Sequence, residues 1–417
     1  PLYFLFKLIT TINLSKKLKA HYPDYHFIPV YWMATEDHDF EEISCFNMFG
    51  KKYQWATEQT GAVGRFDPSS LAEVLDQIQE KVELFEKAYG RFETLADSVR
   101  FYVNELFGTE GLVVVDGDDR QLKAQFAPIM KDDILNQNAH QRVKQTNEQL
   151  IDLGYKSQAF SRPINFFYLD DFRRRIISDG ENFTVLASDI KFSKQEILSE
   201  IDHYPEKFSP NVIMRPLYQE VILPNLAYLG GPAEIIYWLQ LKGIFDYYKM
   251  SFPILMPRNF GMIINQTTAK KAKKLGITDG QLFRSKQQLK TGYLSQVSAH
   301  QPFLNDQKQV FNQLFETIKI KAELIDQSLG GYIGSEHVKS IKGLEHIEKK
   351  LKKALEKKHQ TALMQIEGIK DRLFPNGVLQ ERSENYLNFY FNNTELIQDL
   401  LDQFEPFEFS FYLFWEE

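Results

Sequence analysis

The sequence predicts an α/β protein with a mostly parallel sheet core and an inserted antiparallel α-helical coiled-coil domain. Apolar residues at helical spacing open the chain, and the apolar run Phe27–Met33 follows, which together predict an αβ unit. The β-branched run Leu112–Val115 predicts a second strand buried on both faces, as in parallel sheets. From Phe303 onward, apolar residues alternate in threes and fours within charged sequence, as in a coiled coil.

The rest of the chain supplies smaller elements. Ile164–Leu169 and Phe183–Leu186 are typical of strands in a more mixed, antiparallel region. Two helical runs, Phe311–Leu329 and Leu344–Leu373, flank Gly330–Gly334, which predicts a helical hairpin joined by a glycine turn. The predicted domains are a core over 1–302, a dimerising coiled-coil hairpin over 303–375, and a C-terminal segment over 376–417 that packs back on the core.

Composition limits the function classes. The chain has 417 residues, of which 43% are hydrophobic and 25% charged, as in ordinary globular proteins. Its net charge is −7, and the basic residues form no patch that would attract nucleic acid. The sequence contains no run long and apolar enough to span a membrane, and Cys45 is the only cysteine, so it has no internal disulfide. A cytoplasmic protein is the simplest interpretation.

An acidic turn follows the first predicted strand. Thr35-Glu36-Asp37-His38-Asp39 places three carboxylates and an imidazole where open parallel sheets bind their ligands. Asp39 and Glu42 have the spacing of a helix capping box, which would explain those two residues without a ligand. Capping does not explain Glu36, Asp37 or His38. We therefore expect these three to face a ligand.

Two later segments combine basic residues with turn chemistry. Arg215 has a planar fork suited to a carboxylate or phosphate, although a salt bridge to Glu220 is an equal alternative. Gly230-Gly231-Pro232 precedes a helical run and could hold an anion at the helix start, or could form a turn without a ligand. Arg258 ends another predicted strand. The acidic cluster 116–119 is more typical of a turn at a strand end than of a metal site.

Several motifs in series resemble one known family. They occur in this order: Tyr31-Trp32-Met33-Ala34-Thr35-Glu36-Asp37-His38-Asp39, Met214-Arg215-Pro216-Leu217-Tyr218-Gln219-Glu220, Leu223-Pro224-Asn225, Gly230-Gly231-Pro232-Ala233-Glu234 and Met256-Pro257-Arg258. With the late helical hairpin, the resemblance covers essentially the whole chain. The sequence resembles the bacillithiol biosynthesis cysteine-adding enzymes, the BshC family of cysteine ligases. The resemblance implies a Rossmann-like core, a homodimer formed through the coiled coil, and addition of L-cysteine to the amine of glucosaminyl-malate.

The resemblance also implies residue roles and ligands. His38 would act as a general base or contact a leaving phosphate, and Glu36, Asp37 and Asp39 would hold an ammonium group or Mg²⁺. ATP or ADP is the expected nucleotide, because condensing a carboxylate with an amine requires activation. Mg²⁺ is an open second cofactor, with no dedicated metal site assigned. The residues expected to bind substrate are Asn211, Arg215, Gln219, Asn225, Gly230, Gly231, Glu234 and Arg258.

Two other functions stay open at this point. One is a metal-dependent hydrolase that uses Glu36-Asp37-His38-Asp39, although zinc sites usually have more His or Cys ligands. The other is a non-catalytic dimeric nucleotide-binding scaffold, in which the acidic turn only caps a helix. Members of the resembled family carry a Gly-containing strand and loop upstream of the position of Pro1. The sequence is therefore expected to be a piece of a longer protein.

Overall fold

The structure is a computed structural model that describes residues 1–298 and 303–416. It contains two compact units: Pro1–Gly261 with Glu381–Tyr412, and Met262–Gln380 with the residues from Leu413. The domain boundaries at 302 and 375 stay predictions. Within the described residues, no helix combines the length and apolar character needed to cross a membrane.

The first unit holds the elements up to β11. In chain order they are α1 Leu2–His21, β1 Val30–Met33, α2 Phe40–Ile43, β2 Cys45–Met48, β3 Lys51–Gln54, α3 Ala72–Leu75, α4 Glu83–Arg91, α5 Leu95–Phe107, β4 Val113–Asp116, α6 Arg120–Asn136, α7 Asn138–Asp152, β5 Phe166–Leu169, β6 Arg173–Ser178, β7 Asn182–Val185, β8 Lys191–Ser193, α8 Lys194–His203, β9 Phe208–Pro210, α9 Arg215–Ile222, β10 Ala227–Gly230, α10 Pro232–Leu239, α11 Lys242–Tyr247 and β11 Ile254–Pro257.

The remaining elements follow β11. They are β12 Phe260–Ile264, α12 Gln266–Lys274, α13 Asp279–Leu282, α14 Lys286–Val297, α15 Asn305–Ile325, α16 Leu329–Lys358, α17 Gln360–Leu373, α18 Gln380–Ser383, α19 Leu387–Tyr390, α20 Leu396–Gln403 and β13 Phe411–Trp415. Single turns of 3₁₀ helix lie at Val63–Arg65, Ser69–Leu71, Gly108–Glu110, Pro205–Lys207 and Pro375–Gly377.

Two parallel strand pairs form the Rossmann-like part of the first unit. β1 pairs with β4, with Val30 opposite Val113 and Met33 opposite Asp116. β10 pairs in parallel with β11, with Ala227 opposite Ile254. Parallel pairs require crossover connections, and the helices between these strands provide them. The predicted fold class is confirmed, and both predicted early strands are present.

The middle of the chain forms an antiparallel sheet with the order β8-β7-β6-β5-β9. It contains both strands that were expected in the mixed region. Its buried face joins a large hydrophobic core with α6, α9 and α10. The largest fully buried side chains of that core include Phe126, Tyr218 and Trp238. This core fixes α6 and α9, which carry several of the polar residues described below.

α1 is held on one side by the chain that returns at the C-terminus. The Asn13 amide nitrogen donates to the carbonyl oxygens of Leu401 and Phe404, each at 2.8 Å. The rings of Phe6 and Phe404 lie edge to face with their centroids 5.1 Å apart. A buried amide that finds two backbone acceptors fixes the returning segment to a specific register on α1.

In the second unit, α15 and α16 form the antiparallel helical hairpin, but its turn differs from the prediction. The helices are joined by residues 326–328, where the Asp326 carboxylate accepts the Ser328 amide at 2.8 Å. The glycines from Gly330 lie inside α16. Gly330 is buried, and a Cβ there would collide with the Glu323 carboxylate of α15. The expected glycine turn is wrong, because this glycine serves a close helix–helix approach and an Asp side chain makes the turn.

Candidate active site

A large cavity of the first unit lies between the two parallel strand pairs. Its volume is about 690 Å³, and we call it the strand-edge cavity because β1 lines one side and β10 the other. Within the described residues, neither edge pairs with a further strand on this side. Much of the wall is apolar, for example at Leu14 and Leu229. The polar side chains that line it include Lys7, Arg215, Gln219, Asn225, Glu234 and Tyr237.

Arg215 is the arginine that lines this cavity. It opens α9, where Pro216 occupies a favourable first-turn position. Its guanidinium donates to the Gln219 amide oxygen at 3.0 Å, one helical turn away. Among the described residues, it makes no ion pair within 4.0 Å. The alternative salt bridge to Glu220 is not observed, so the cation stays available to an anion in the cavity.

Glu234 forms the acidic part of the same cavity. Both of its oxygens accept from the Lys7 ammonium, at 2.8 and 2.9 Å, and the Tyr228 hydroxyl donates at 3.0 Å. Burial works to raise the pKa of Glu234, but the charge of Lys7 and these hydrogen bonds outweigh it, so the pKa lies below its ordinary value. Burial raises the pKa of Tyr228 to about 12, so the phenol is neutral near pH 7.

The helix start at Gly230-Gly231 does not match its expected role. The Gly231 amide donates to the Glu234 carboxylate at 2.7 Å, so the third residue of α10 occupies its own helix N-terminus. A side chain at Gly230 would crowd Tyr228 and Glu234, with a Cβ about 3.0 and 3.1 Å from them. This corrects the expectation of amides open to a ligand anion. The internal carboxylate fills that position because it is one turn away in sequence.

Two predicted amide ligands are engaged within their own loops. The Asn225 side chain donates to Glu220 at 2.9 Å and to the Leu223 carbonyl at 2.7 Å. Burial raises the pKa of Glu220, although the bonds from Asn225 oppose this. The Asn211 side-chain nitrogen donates to Asn165 at 3.1 Å. Asn225 lines the strand-edge cavity, whereas Asn211 shapes the entrance to α9 by accepting backbone amides.

The acidic turn after β1 splits into a buried and an exposed half. Glu36 is buried, with Oε1 2.8 Å from the ammonium of the fully buried Lys123. That approach supplies a counter-charge but not hydrogen-bond geometry, and Oε1 has no donor. Lys123 donates instead to Asp118 at 2.7 Å and to the Glu206 carbonyl at 3.0 Å. Burial raises the pKa of Glu36, although Lys123 opposes the shift.

Asp37, His38 and Asp39 form the exposed half. The His38 ring nitrogen Nδ1 lies 3.3 Å from Asp37 and 3.4 Å from the Arg173 guanidinium. Arg173 also contacts Asp37 at 3.2 Å. Asp39 is the N-cap residue of α2 but makes no side-chain capping bond. The capping box proposed as an alternative is therefore not formed.

Arg258 lies neither in the strand-edge cavity nor in the acidic turn after β1. Its side chain is 3% exposed and forms a two-pronged ion pair with Glu381, at 2.6 and 3.0 Å. The guanidinium also donates to the Asn259 carbonyl at 2.8 Å. This corrects the expectation that Arg258 faces substrate. Its fork is already matched by a buried carboxylate, which satisfies the cation without a ligand.

The 116–119 turn is structural, as the sequence favoured. Asp116 accepts the Asp118 amide at 2.9 Å and the Thr35 hydroxyl, and Asp119 caps α6. Asp118 is paired with Arg65 at 2.6 Å. In the described part of the chain, no group of three or more His, Cys, Asp or Glu side chains is placed to hold a metal ion. Asp116, Asp118 and Asp119 are therefore engaged by donors of the protein itself.

Comparison with known proteins identifies the family. The N-terminal Rossmann-like domain of the bacillithiol biosynthesis protein BshC matches residues 1–259, and its C-terminal coiled-coil domain matches residues 261–415. The chain belongs to the BshC family. A Flavobacterium johnsoniae relative, named "Putative cysteine ligase BshC", is 44% identical over 99% of this chain and 80% of its own length. Relatives with the same name from Flavobacterium psychrophilum (44%) and Cytophaga hutchinsonii (41%) cover 99% and 98% of this chain and 79% of their own lengths.

Within this BshC chain, the structure adds three charged residues that the sequence analysis missed. Lys7 partners Glu234, Lys123 lies between two carboxylates, and Arg173 contacts Asp37 and His38. Each partner is more than 80 positions away in sequence except Asp118. Lys123 did carry a local signal, because it follows the 116–119 turn on the first turn of α6. Lys7 and Arg173 carried none.

Proposed function

We propose that this chain is a ligase that joins the carboxyl group of L-cysteine to the amine of glucosaminyl-malate, forming an amide in bacillithiol synthesis. Membership of the BshC family supports the proposal, together with the name of the relatives. The observation that carries it is the strand-edge cavity, into which Arg215, Gln219, Asn225 and Glu234 converge. The cavity runs along the edges of β1 and β10, and its lining includes residues that precede and residues that follow each strand.

Arg215 is the residue proposed to hold an anionic group in the strand-edge cavity. Its guanidinium has one amide partner and no carboxylate partner among the described residues. Glu234 and Lys7 lie in the same cavity and neutralise one another. Hence the uncompensated charge in this cavity is positive, and a carboxylate or phosphate would balance it.

His38 is proposed as the general base that accepts the proton from the attacking amine. It is half-exposed, and the neighbouring Asp37 carboxylate at 3.3 Å can orient its ring. An amine attacks a carbonyl carbon only in its unprotonated form, and the new amide must lose one proton. Imidazole is suited to this transfer near neutral pH. His38 and Arg215 line different cavities, so their roles are proposed separately.

Nucleotide activation is part of the proposal. Condensing a carboxylate with an amine in water is uphill, so the carboxyl group of cysteine needs a better leaving group. ATP or ADP is the proposed nucleotide, on the analogy of Rossmann-like folds. The chain contributes a cation for phosphate at Arg215. We assign no step to Mg²⁺, because the carboxylates Glu36, Asp116 and Asp118 are already paired.

The test is product formation by the purified protein. The protein is incubated with cysteine, glucosaminyl-malate and ATP, and the amide is detected by mass spectrometry while AMP and ADP are assayed. AMP accompanying the product supports adenylation, and ADP supports an acyl phosphate. Product with neither removes ATP from the proposal. Absence of product from folded protein contradicts the ligase proposal and favours the scaffold.

We also propose that the hairpin forms a homodimer with a second copy. Apolar side chains along its outer faces are exposed in the single chain, with Leu324 83% and Ile325 82% exposed. Others on the same two helices are Val310, Leu314, Ile318, Ile320, Val338, Ile347 and Leu351. Extended apolar surface of this kind marks an interaction face. Light scattering should give a dimer for wild type and for the exposed control K321E, and a monomer for L324E.

A further inference from the structure

Another cavity of the first unit is lined by arginines and by no carboxylate. Its volume is about 270 Å³, and we call it the basic cavity because Arg173 and Arg174 line it, next to the imidazole of His38. Uncharged polar residues Gln59 and Thr60 and several phenylalanines complete the wall. Its lining includes no carboxylate, although the whole chain has a net charge of −7. A cavity lined by one sign of charge selects ligands of the opposite sign.

Arg173 is built into this cavity rather than left mobile. Its side chain is 10% exposed and lies over the Phe167 ring, with 4.2 Å from the guanidinium carbon to the ring centroid. Its Nε donates to the Ser209 hydroxyl at 3.0 Å, and one terminal nitrogen donates to the Pro210 carbonyl at 3.1 Å. The other terminal nitrogen points at Asp37 and His38. These contacts fix the fork before any ligand arrives.

The charge of Arg173 is only partly balanced. Among the described residues, Asp37 is its single carboxylate partner within 4.0 Å, and that carboxylate is half exposed. Burial lowers the pKa of Arg173, although Asp37 and Glu36 oppose the shift, which shows how far this cation is removed from water. A desolvated cation with one solvated partner gains from a second anion.

The opposite wall is also rigid. The Thr60 hydroxyl donates to the Asp171 carbonyl at 3.0 Å, and Gly61 has a φ of +94°. A Cβ at Gly61 would lie 3.0 Å from the Asp171 carbonyl oxygen, so both the backbone conformation and the space require glycine. The Gln59 side chain exchanges hydrogen bonds with the backbone of Asp67. The cavity is therefore preformed.

We propose that the basic cavity is an anion subsite, in which Arg173 and His38 bind a carboxylate or phosphate group of a substrate. The proposal rests on the proposed ligase function, since both proposed substrates, glucosaminyl-malate and a nucleotide, carry such a group. The volume accommodates one small anionic group rather than a whole nucleotide. The three guanidinium nitrogens of Arg173 already donate within the fold, so either oxyanion is attracted by its positive charge and by the N–H group that stays free on the nitrogen bonded to Pro210.

The experiment measures anion binding directly by isothermal titration calorimetry on the full chain. Malate and inorganic phosphate are the two probes. R173Q and H38Q should each weaken binding of the preferred probe about tenfold or more, because each removes a hydrogen bond to a charged group. R175Q is the matched control. Arg175 is exposed, lies on the same strand β6 and does not line the cavity, so its binding constant should equal that of wild type.

Each outcome decides between explanations. Binding of malate alone identifies a carboxylate subsite, and binding of phosphate alone identifies a phosphoryl subsite. Failure of both probes to bind wild type at millimolar concentration overturns the proposal, as does unchanged binding in H38Q, whose half-exposed side chain lies outside the buried core. Amide formation is assayed in parallel. Product without the predicted binding rejects only the subsite, and binding without product rejects only the ligase function.

Discussion

Two arginines of the first unit, Arg215 and Arg258, have guanidinium groups in opposite surroundings. Arg258 is buried, and its fork is fully matched by the Glu381 carboxylate and the Asn259 carbonyl. Arg215 lines a cavity of about 690 Å³ and has one amide partner. The donors of Arg258 are matched by acceptors within the protein, whereas most N–H donors of Arg215 have no protein partner among the described residues. The comparison indicates that a cation's role depends on what already pairs with it.

The same contrast separates stability from activity. Removing one partner of a buried ion pair leaves an uncompensated charge in the interior, which destabilises the folded state. Removing Arg215 from an open cavity leaves one amide oxygen, that of Gln219, without its donor but leaves no charge unpaired, so the folded state changes less. The predictions below test this separation, beginning with the largest expected effect.

R258Q should destabilise the first unit strongly. The Glu381 carboxylate is only 1% exposed, and the substitution removes its cation. Breaking a buried ion pair in this way costs about 3–5 kcal/mol. Urea unfolding followed by circular dichroism measures the loss. E381Q should cost a similar amount, because it leaves Arg258 unpaired.

The double variant R258M/E381L is the control for this pair. Replacing both partners by apolar residues removes the unpaired charge, so most of the lost stability should return. A double variant as unstable as R258Q would show that packing, not charge pairing, accounts for the loss. Unchanged stability in R258Q would show that the pair is not formed.

R215Q should reduce ligase activity about 100-fold, equivalent to about 2.7 kcal/mol, if the arginine binds an anion of the reacting substrate. Its unfolding free energy should fall by only about 1 kcal/mol, because the buried Gln219 amide oxygen loses its donor but no charge is left unpaired. Steady-state kinetics and urea unfolding of one preparation give both values. R215K keeps the positive charge but loses the planar guanidinium fork, so its ligase activity should lie between those of wild type and R215Q.

A loss of stability in R215Q comparable to that in R258Q would remove the distinction between the two arginines. Full activity in R215Q would instead remove Arg215 from the proposed binding site. The unfolding free energy of R215Q thus tests whether Arg215 is needed for stability, and its activity tests whether Arg215 is needed for binding.

The sequence predicted the helices and strands better than it predicted which charged residues form ion pairs. Periodicity located β1, β4 and the hairpin helices, because burial of an apolar face is recorded locally in residue spacing. Arg215, Gln219, Asn225 and Glu234 also lie near one another in sequence, and the structure places them in one cavity. Local motifs were therefore sufficient to group these four side chains at one cavity, and their binding roles stay predictions.

Long-range pairing was not accessible from the sequence. Arg258 and Arg215 stand in similar Pro-containing segments, and the deciding partner of Arg258 is Glu381, which lies 123 positions away. Arg173 likewise meets Asp37 across 136 positions. The glycines from Gly330 were predicted as a turn because glycine allows turns and close helix contacts equally. The competing role became visible only once Glu323 was placed opposite Gly330.

Asp133 extends the comparison to a buried charge without a counter-ion. Its Oδ1 accepts the Ala139 amide at 2.7 Å between α6 and α7, while Oδ2 is buried without a partner. Burial raises the pKa of Asp133 from 3.8 to about 7, although the Ala139 bond opposes this. The folded protein thus binds this proton more tightly than the unfolded chain. Its contribution to stability is complete below about pH 4 and is lost as the pH rises through about 7.

D133N should therefore become more stable than wild type as the pH rises. Asparagine keeps an acceptor for Ala139 but does not ionise, so the difference in unfolding free energy should grow between about pH 4 and 7 and then level off. The shift corresponds to about 4 kcal/mol at most, since each pKa unit is worth about 1.4 kcal/mol. The new amide group is itself left unpaired, which reduces the gain to about 2 kcal/mol. The exposed control D152N, on α7, should show a flat difference across this range. A flat difference in D133N as well would mean that water or a cation reaches Oδ2, and that this carboxylate resembles Arg258 in having its charge matched.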